Sequence, residues 1–154
     1  MSRLLARGFI AALAPQGVPN MDIVVTTVDG KTLCSIQVKT RWHKGADGGW
    51  HMGKKHEEIV ERNVFYCFVD LGKSASDASK VYVLPSYIVA RVIKGSHAHW
   101  LARPGKNGAV HNDSNMRRFL PDYSKDFGKV TEFGANWLEP YSENWDILAP
   151  PTQP

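Results

Sequence analysis

Three polar side chains with complementary chemistry would lie together if the chain reversed direction once between them. Asp22 opens one apolar run, and Gln37 and Lys39 stand two residues apart at the end of the next. A carboxylate and an amide oxygen are ligands for a hard divalent cation. An ammonium group beside such a cation can orient a water molecule or neutralise charge that develops on a phosphate. The three residues therefore indicate a candidate metal-assisted site.

A β-hairpin is the element that would bring these residues together. Asp29 and Gly30, between two β-rich runs, are typical of a type I′ turn, in which both central residues have positive φ. We therefore predict paired antiparallel strands over residues 22–28 and 32–41. Side chains alternate between the two faces of a strand. The glutamine and the lysine should point to the same side, with the aspartate close to their level.

Each residue also has an ordinary structural explanation. Asp22 follows the Pro19-Asn20 turn, where aspartate is common. Gln37 would fit as a half-buried cross-strand partner, and an exposed lysine such as Lys39 discourages unwanted pairing at a sheet edge. Only the joint spacing of the three favours a site.

The pattern resembles the PD-(D/E)XK nuclease superfamily. There, an Asp at the start of one strand is followed by a hairpin and then by Glu or Gln, any residue and Lys. The segment IQVKTR, residues 36–41, is similar to the variants that carry Gln, and residues 62–71 and 81–86 look like the later strands of small members. The resemblance covers residues 4–148. It implies an α/β (α+β) fold with a restriction-endonuclease-like core, a central mixed β-sheet of about five strands flanked by helices.

The resemblance also implies what individual residues do. Asp22 and Gln37 would hold Mg²⁺ or Mn²⁺ together with the main-chain carbonyl of Val38, and Lys39 would position the attacking water. The expected activity is metal-dependent hydrolysis of nucleic-acid phosphodiester bonds. DNA is the expected substrate, which would make the protein a Mg-dependent endodeoxyribonuclease.

One acidic residue of the superfamily pattern is missing, and this leaves alternatives open. Relatives usually carry an acid on the helix before the first strand, whereas no Asp or Glu precedes Asp22. Glu57 or Glu58 is a candidate replacement. Because Gln37 is neutral as well, the alternatives are a weakened or inactive nucleic-acid-binding module of the same fold, or one subunit of a partnered nuclease, such as a homodimer.

Basic and aromatic residues in two loop-like segments are candidate nucleic-acid contacts. Residues 42–55 are rich in Gly, Trp, His and Lys, and residues 103–119 combine basic residues with Gly, Pro and Asn. Cations neutralise the phosphate backbone, and aromatic rings stack on bases. The alternative is a pair of solvated loops whose tryptophans pack onto the sheet. The candidates are Arg41, Trp50, Lys54, Lys55, Arg117 and Arg118.

Length and composition are those of one globular domain. The chain has 154 residues, of which 43% are hydrophobic and 22% charged. We expect a single domain over residues 1–148 and a flexible C-terminal tail over 149–154. The net charge of +4 permits a nucleic-acid partner without requiring one. Two cysteines inside predicted strands, and no apolar run of membrane-spanning length, lead us to expect a cytoplasmic protein without a membrane partner.

The remaining elements follow from apolar runs and from glycine and proline. The predicted elements are the end of a helix over 2–7, strands over 9–13, 64–71 and 81–84, a helix capped by Ser86, and a short helix over 136–148. The run over 64–71 is almost continuously apolar, which is typical of a central strand that is buried on both faces.

Overall fold

The structure is a computed structural model that describes residues 1–30, 33–42 and 48–149. Parts of the predicted strand 32–41, the loop 42–55 and the tail 149–154 lie outside these residues. In chain order the described elements are α1 (Ser2–Leu5), β1 (Ile10–Leu13), β2 (Ile23–Thr26), β3 (Leu33–Arg41), β4 (Trp50–Gly53), β5 (Val64–Asp70), β6 (Lys80–Pro85), α2 (Ser86–Leu101) and β7 (Met116–Phe119).

A five-stranded mixed sheet in the order β1-β2-β3-β5-β6 forms the centre of the described part. Neighbouring strands are antiparallel except β3 and β5, which run parallel. A parallel pair needs a crossover connection, and residues 42–63 provide it. The predicted α+β fold with a central mixed sheet of five strands is confirmed.

The hairpin between β2 and β3 has the predicted register but not the predicted turn. Ile23 pairs with Ile36, as a two-residue turn at positions 29 and 30 would require. Gly30 has a φ of +71°, whereas Asp29 is not among the described residues with positive φ. The Gly30 N–H donates to the Thr27 carbonyl at 2.9 Å. Because a type I′ turn needs positive φ at both central positions, that prediction is wrong.

Strand β5 separates two hydrophobic cores, because its side chains alternate between the two faces of the sheet. Phe65 and Cys67 belong to one core, and Tyr66 and Phe68 belong to the other. The strand lies between β3 and β6, so the predicted central strand is confirmed. The core around Phe65 is closed by α1 and by Trp145.

A second sheet, formed by β4 and β7, covers the other core. Its inward residues include Trp50 and Met52 on β4 and Phe119 on β7, and they join the cluster of Tyr66 and Phe68. Both strands have four residues and lie inside segments that the sequence indicated as loops. The loop predictions for these residues are wrong, because the alternating burial of short strands was hidden among glycine and polar residues.

Helix α2 packs on the same side as the second sheet. Val89 and Ile93 lie four residues apart on one face of the helix, and both are fully buried. Ser86 is the first residue of the helix and not its cap, since the N-cap is Pro85 and the Ser86 hydroxyl donates to the Glu61 carbonyl at 2.8 Å. No helix in the described ranges is both long and apolar enough to cross a membrane.

The C-terminal part closes both cores with short turns. The predicted helix over 136–148 is instead two 3₁₀ turns, Glu139–Tyr141 and Trp145–Leu148. Trp137 is buried in the core beneath the second sheet and Trp145 in the core beneath α1. Trp137 and Trp145 therefore cover the two cores on opposite faces of the sheet.

Candidate functional site

Asp22 lies one residue before β2 and is fixed against the end of β3. Its N–H donates to the Ile36 carbonyl at 2.9 Å. Its carboxylate oxygen Oδ2 accepts the Val38 main-chain N–H at 2.7 Å and the Gln37 side-chain Nε2 at 2.5 Å. Asp22 is exposed, whereas Gln37 is only 9% exposed. The hairpin thus brings Asp22 and Gln37 together and orients the carboxylate at an edge that is open to solvent.

Lys39 follows two residues later on the same face of β3 as Gln37. Its side chain is half-buried, and this burial lowers the pKa of the ammonium group below the usual lysine value. The charge of Asp22 opposes the lowering, and the charge of Lys55 adds to it. Lys39 therefore lies within the electrostatic reach of Asp22. A lysine with a lowered pKa gives up its proton more readily, which suits a group that handles a water molecule.

A buried histidine lies beside this lysine. His56 is 3% exposed, and its Nδ1 lies 2.7 Å from the hydroxyl of Tyr66. Tyr66 is paired with Gln37 across the parallel strands. Burial, with further contributions from Lys39 and Lys55, lowers the pKa of His56 to about 4. His56 is thus neutral at pH 7 and brings no charge to the site. No sequence pattern predicts the contact between His56 and Tyr66, because it depends on how the connection from β3 to β5 packs against the sheet.

The two glutamates that were candidates for the missing acid both have cationic partners. Glu57 is 9% exposed, and its carboxylate accepts a hydrogen bond from Nε of the buried Arg117. Glu58 is exposed, and its carboxylate pairs with Nζ of Lys94 at 2.9 Å. The structure therefore gives neither glutamate the predicted role of a ligand that replaces the missing acid.

Trp50, a predicted stacking residue, is part of the core. It is 1% exposed, and its ring meets Phe68 edge to face with 5.3 Å between the ring centroids. Its Nε1 donates to the Val69 carbonyl at 3.1 Å. A ring without an exposed face cannot stack on a base, so this prediction is wrong. The guanidinium carbon of Arg41 lies 4.0 Å from the centroid of the same ring. The guanidinium also pairs with the Asp70 carboxylate, with 2.6 Å between NH2 and Oδ2, so that Arg41 is held against the sheet.

Arg117, a predicted phosphate contact, is also buried. It is 2% exposed, it pairs with Glu57, and it lies 3.2 Å from the carboxylate of Asp113. Its NH1 donates to the Ser114 carbonyl at 2.6 Å. The guanidinium is enclosed by these partners and cannot reach a phosphate in solution, so this prediction is wrong. Lys54 remains at the surface, where its Nζ pairs with Asp113 at 2.9 Å.

Besides Lys54, the basic candidates Lys55 and Arg118 are exposed, on different parts of the molecule. Lys55 is exposed and close enough to both Lys39 and His56 to lower their pKa values. Arg118 is exposed on the outer side of β7. Of the basic residues named from the sequence, Lys55 has the clearest electrostatic link to the candidate site.

The donor groups at this edge are compatible with a magnesium ion held by few protein ligands. Asp22 offers a carboxylate, Gln37 an amide oxygen and Val38 a carbonyl, all of them hard oxygen donors. In the described ranges, no three His, Cys, Asp or Glu side chains form a metal-binding group. Mg²⁺ keeps several waters and is often bound by one or two carboxylates together with substrate phosphates. The residues fit such an ion, with much of the binding left to the substrate.

Comparison with known proteins concerns the fold. No protein-family model and no curated protein matches the sequence. Among solved structures, the chain is similar to a bacterial homing endonuclease, I-Ssp6803I, with a TM-score of 0.50 over 96% of this chain and 80% of that one. The two sequences are 14% identical. This chain therefore shares the fold of a bacterial homing endonuclease.

Proposed function

We propose that the protein hydrolyses phosphodiester bonds of nucleic acid, with DNA as the substrate, at the edge formed by Asp22, Gln37 and Lys39. The observation that carries the proposal is the Asp22 carboxylate, anchored by Val38 and Gln37 within electrostatic reach of a half-buried lysine. The fold shared with a homing endonuclease supports nucleic acid as the substrate class. The proposed cofactor is Mg²⁺ or Mn²⁺.

The carboxylate is oriented before any ligand binds. Hydrogen bonds from the Val38 N–H and the Gln37 amide hold Oδ2 of Asp22 in one direction. Asp22, the Gln37 amide oxygen and the Val38 carbonyl would hold the ion, which when bound stabilises charge on the phosphate. Preorganised groups of this kind need no rearrangement as the reaction proceeds.

Lys39 binds the attacking water and can exchange a proton with it. In its charged form it donates a hydrogen bond to the attacking water or to a phosphate oxygen. In its neutral form it accepts a proton from that water. Burial lowers its pKa, so the neutral fraction at a given pH exceeds that of an exposed lysine. The nearby charge of Lys55 favours the same shift and attracts the phosphate backbone.

A second candidate function is supported by the sparse negative charge of the site. Gln37 is neutral, and Glu57 and Glu58 pair with cations, so Asp22 is the one carboxylate of the proposed ligand set in the part of the chain that the structure describes. A protein of this fold with so weak a metal site would bind nucleic acid without cutting it. Calorimetric titration with Mn²⁺ separates the two, because a binder without catalysis would show no saturable heat at millimolar metal.

Cleavage of plasmid DNA tests the proposal. Purified protein is incubated with supercoiled plasmid in Mg²⁺ or Mn²⁺, beside Lys39→Ala and the matched control Lys73→Ala, which changes an exposed lysine in the loop after β5. We expect Lys39→Ala to cleave at least about 100-fold more slowly, the usual effect of removing a proton-transfer group, and the control to retain wild-type activity. Equal cleavage by wild type and Lys39→Ala would remove Lys39 from the site. No cleavage by the wild type with either metal would end the proposal of hydrolysis.

A further inference from the structure

A cavity of about 400 Å³ opens between the second half of α2, the outer side of β7 and the loop that follows it. The residues that line it include Trp100 from the helix, Met116 and Arg118 from the strand, and Tyr123 from the loop, and none of them belongs to the site at Asp22. Its volume lies within the range of roughly 300–1,000 Å³ typical of small-molecule sites.

The floor of the cavity is aromatic and fixed. Tyr123 is 5% exposed. Its hydroxyl donates to the Arg118 carbonyl at 3.1 Å and accepts the Leu120 N–H at 3.0 Å. The Tyr123 ring meets Phe127 edge to face at 5.9 Å. Because these contacts hold the rings in place, a ligand would meet a preformed surface.

The mouth of the cavity exposes large apolar groups to solvent. Trp100 is 40% exposed and Met116 is 55% exposed. The Trp100 ring is stacked on His111, with 3.8 Å between the ring centroids, and is thereby held in one orientation. A flat indole and a polarisable thioether are well suited to contact a planar ring.

Charged groups stand beside these apolar walls. Arg118 and Lys125 are exposed cations that line the cavity. Asp122 also lines it, and its carboxylate is fixed by the Ser124 N–H at 2.7 Å. A purely hydrocarbon ligand would remove these charges from water without replacing their hydrogen bonds, which is unfavourable. The complementary ligand has a flat ring with hydrogen-bond donors and an anionic group.

We propose that this cavity binds a nucleotide, with the base against Trp100 and Met116 and the phosphate at Arg118 and Lys125. Asp122 is placed to accept hydrogen bonds from amino groups of the base. The planar guanidinium of Arg118 has five donors, which allows it to hold a phosphate alongside its existing interactions.

The nucleotide has two sources, a free mononucleotide or one unstacked nucleotide of a bound strand. Met116 is paired with Gly53, which directly precedes Lys54 and Lys55. Exposed lysines thus connect the cavity with the neighbourhood of Lys39, along a path that a strand could follow. Binding at the cavity is measured without divalent metal and so is independent of the proposed hydrolysis.

Calorimetric titration with adenosine monophosphate, and with ribose 5-phosphate as the probe that lacks a base, tests the proposal. We expect saturable binding of the nucleotide and at least about tenfold weaker binding of the sugar phosphate. Loss of the contacts from Arg118 in Arg118→Glu should weaken nucleotide binding at least about tenfold. The matched control Lys73→Glu should leave it unchanged. Equal affinities for the two probes, or an unaltered Arg118→Glu, would overturn the proposal.

Further measurements locate the ligand and guard against a loss of folding. Binding should quench the fluorescence of the wild type and not that of Trp100→Phe, and an equal response of the two would overturn the assignment. Met116→Ala removes an exposed side chain and should weaken binding even if Arg118→Glu does not fold.

Replacing one base of a single-stranded oligonucleotide by an abasic sugar weakens binding if the nucleotide belongs to a strand. Equal binding of both oligonucleotides, together with binding of the mononucleotide, identifies the free nucleotide as the ligand.

Discussion

Replacing Arg117 by methionine should destabilise the protein strongly, although arginines are usually surface residues. Its side chain is 2% exposed and pairs with Glu57, which is 9% exposed. The substitution leaves a buried carboxylate without its cation and leaves the Ser114 carbonyl without its donor at 2.6 Å. Breaking a buried ion pair from one side costs about 3–5 kcal/mol. A domain of ordinary stability has about 5–15 kcal/mol in total, so the loss would be a large part of it.

Urea denaturation followed by circular dichroism measures this loss. With a slope near 2 kcal/mol per M, a loss of about 4 kcal/mol lowers the midpoint by about 2 M. Arg118→Met changes the next residue, which is exposed, and should stay within about 0.5 kcal/mol of wild type. The double variant Glu57→Leu/Arg117→Met should recover much of the loss, because an apolar pair leaves no charge unpaired.

The same experiment distinguishes the two roles considered for Arg117. A residue that contacts phosphate at the surface would lose nucleic-acid affinity on substitution but little stability. If Arg117→Met costs no more than Arg118→Met, the buried pair with Glu57 does not hold the second sheet in place, and the reasoning is refuted.

Three further predictions concern the candidate site and the strands that carry it. Lowering the pH from about 6.5 to about 4 should destabilise the wild type by up to about 3 kcal/mol through His56, whose pKa is lowered on folding so that the unfolded chain binds the proton first. The urea midpoint of His56→Gln should therefore fall less between pH 7 and pH 4 than the midpoint of the wild type does. Asp70→Asn should cost about 1–3 kcal/mol by the same assay, because Arg41 loses its charged partner at 2.6 Å; a change below about 0.5 kcal/mol would contradict this. Gln37→Glu should tighten Mn²⁺ binding at least about tenfold in calorimetry, since two neighbouring carboxylates replace one, and unchanged affinity would place the metal elsewhere.

Much of the central sheet could be predicted because its signals are local. The long apolar run at residues 64–71 and the turn residues at 29 and 30 depend only on near neighbours in sequence. The register that sets Asp22 beside Gln37 follows from the position of the turn, and the structure confirms it even though the turn type differs. For this reason the sequence alone predicts that Asp22 and Gln37 lie together.

The covering layer could not be predicted because it depends on distant pairing. Trp50 pairs with Phe119, which is far away in the sequence, and each of the two strands has only four residues. Glycine, tryptophan and lysine in one segment, and arginine in the other, have the composition of a nucleic-acid-binding loop. Burial of Trp50 and Arg117 results from the tertiary fold, and it leaves neither side chain at the surface for contact with a ligand.

Because β5 divides the interior into two cores, the two native cysteines can report the local opening of one core separately from the other. Cys34 and Cys67 both belong to the core closed by α1 and Trp145. Burial raises the pKa of Cys34 to about 11 and that of Cys67 to about 12, so both thiols are unreactive while this core is closed. The rates at which Cys34 and Cys67 react with a thiol reagent should therefore report local opening of the core that contains them, while the core around Tyr66 and Phe68 stays closed. Because both thiols are native, the method needs no engineered probe.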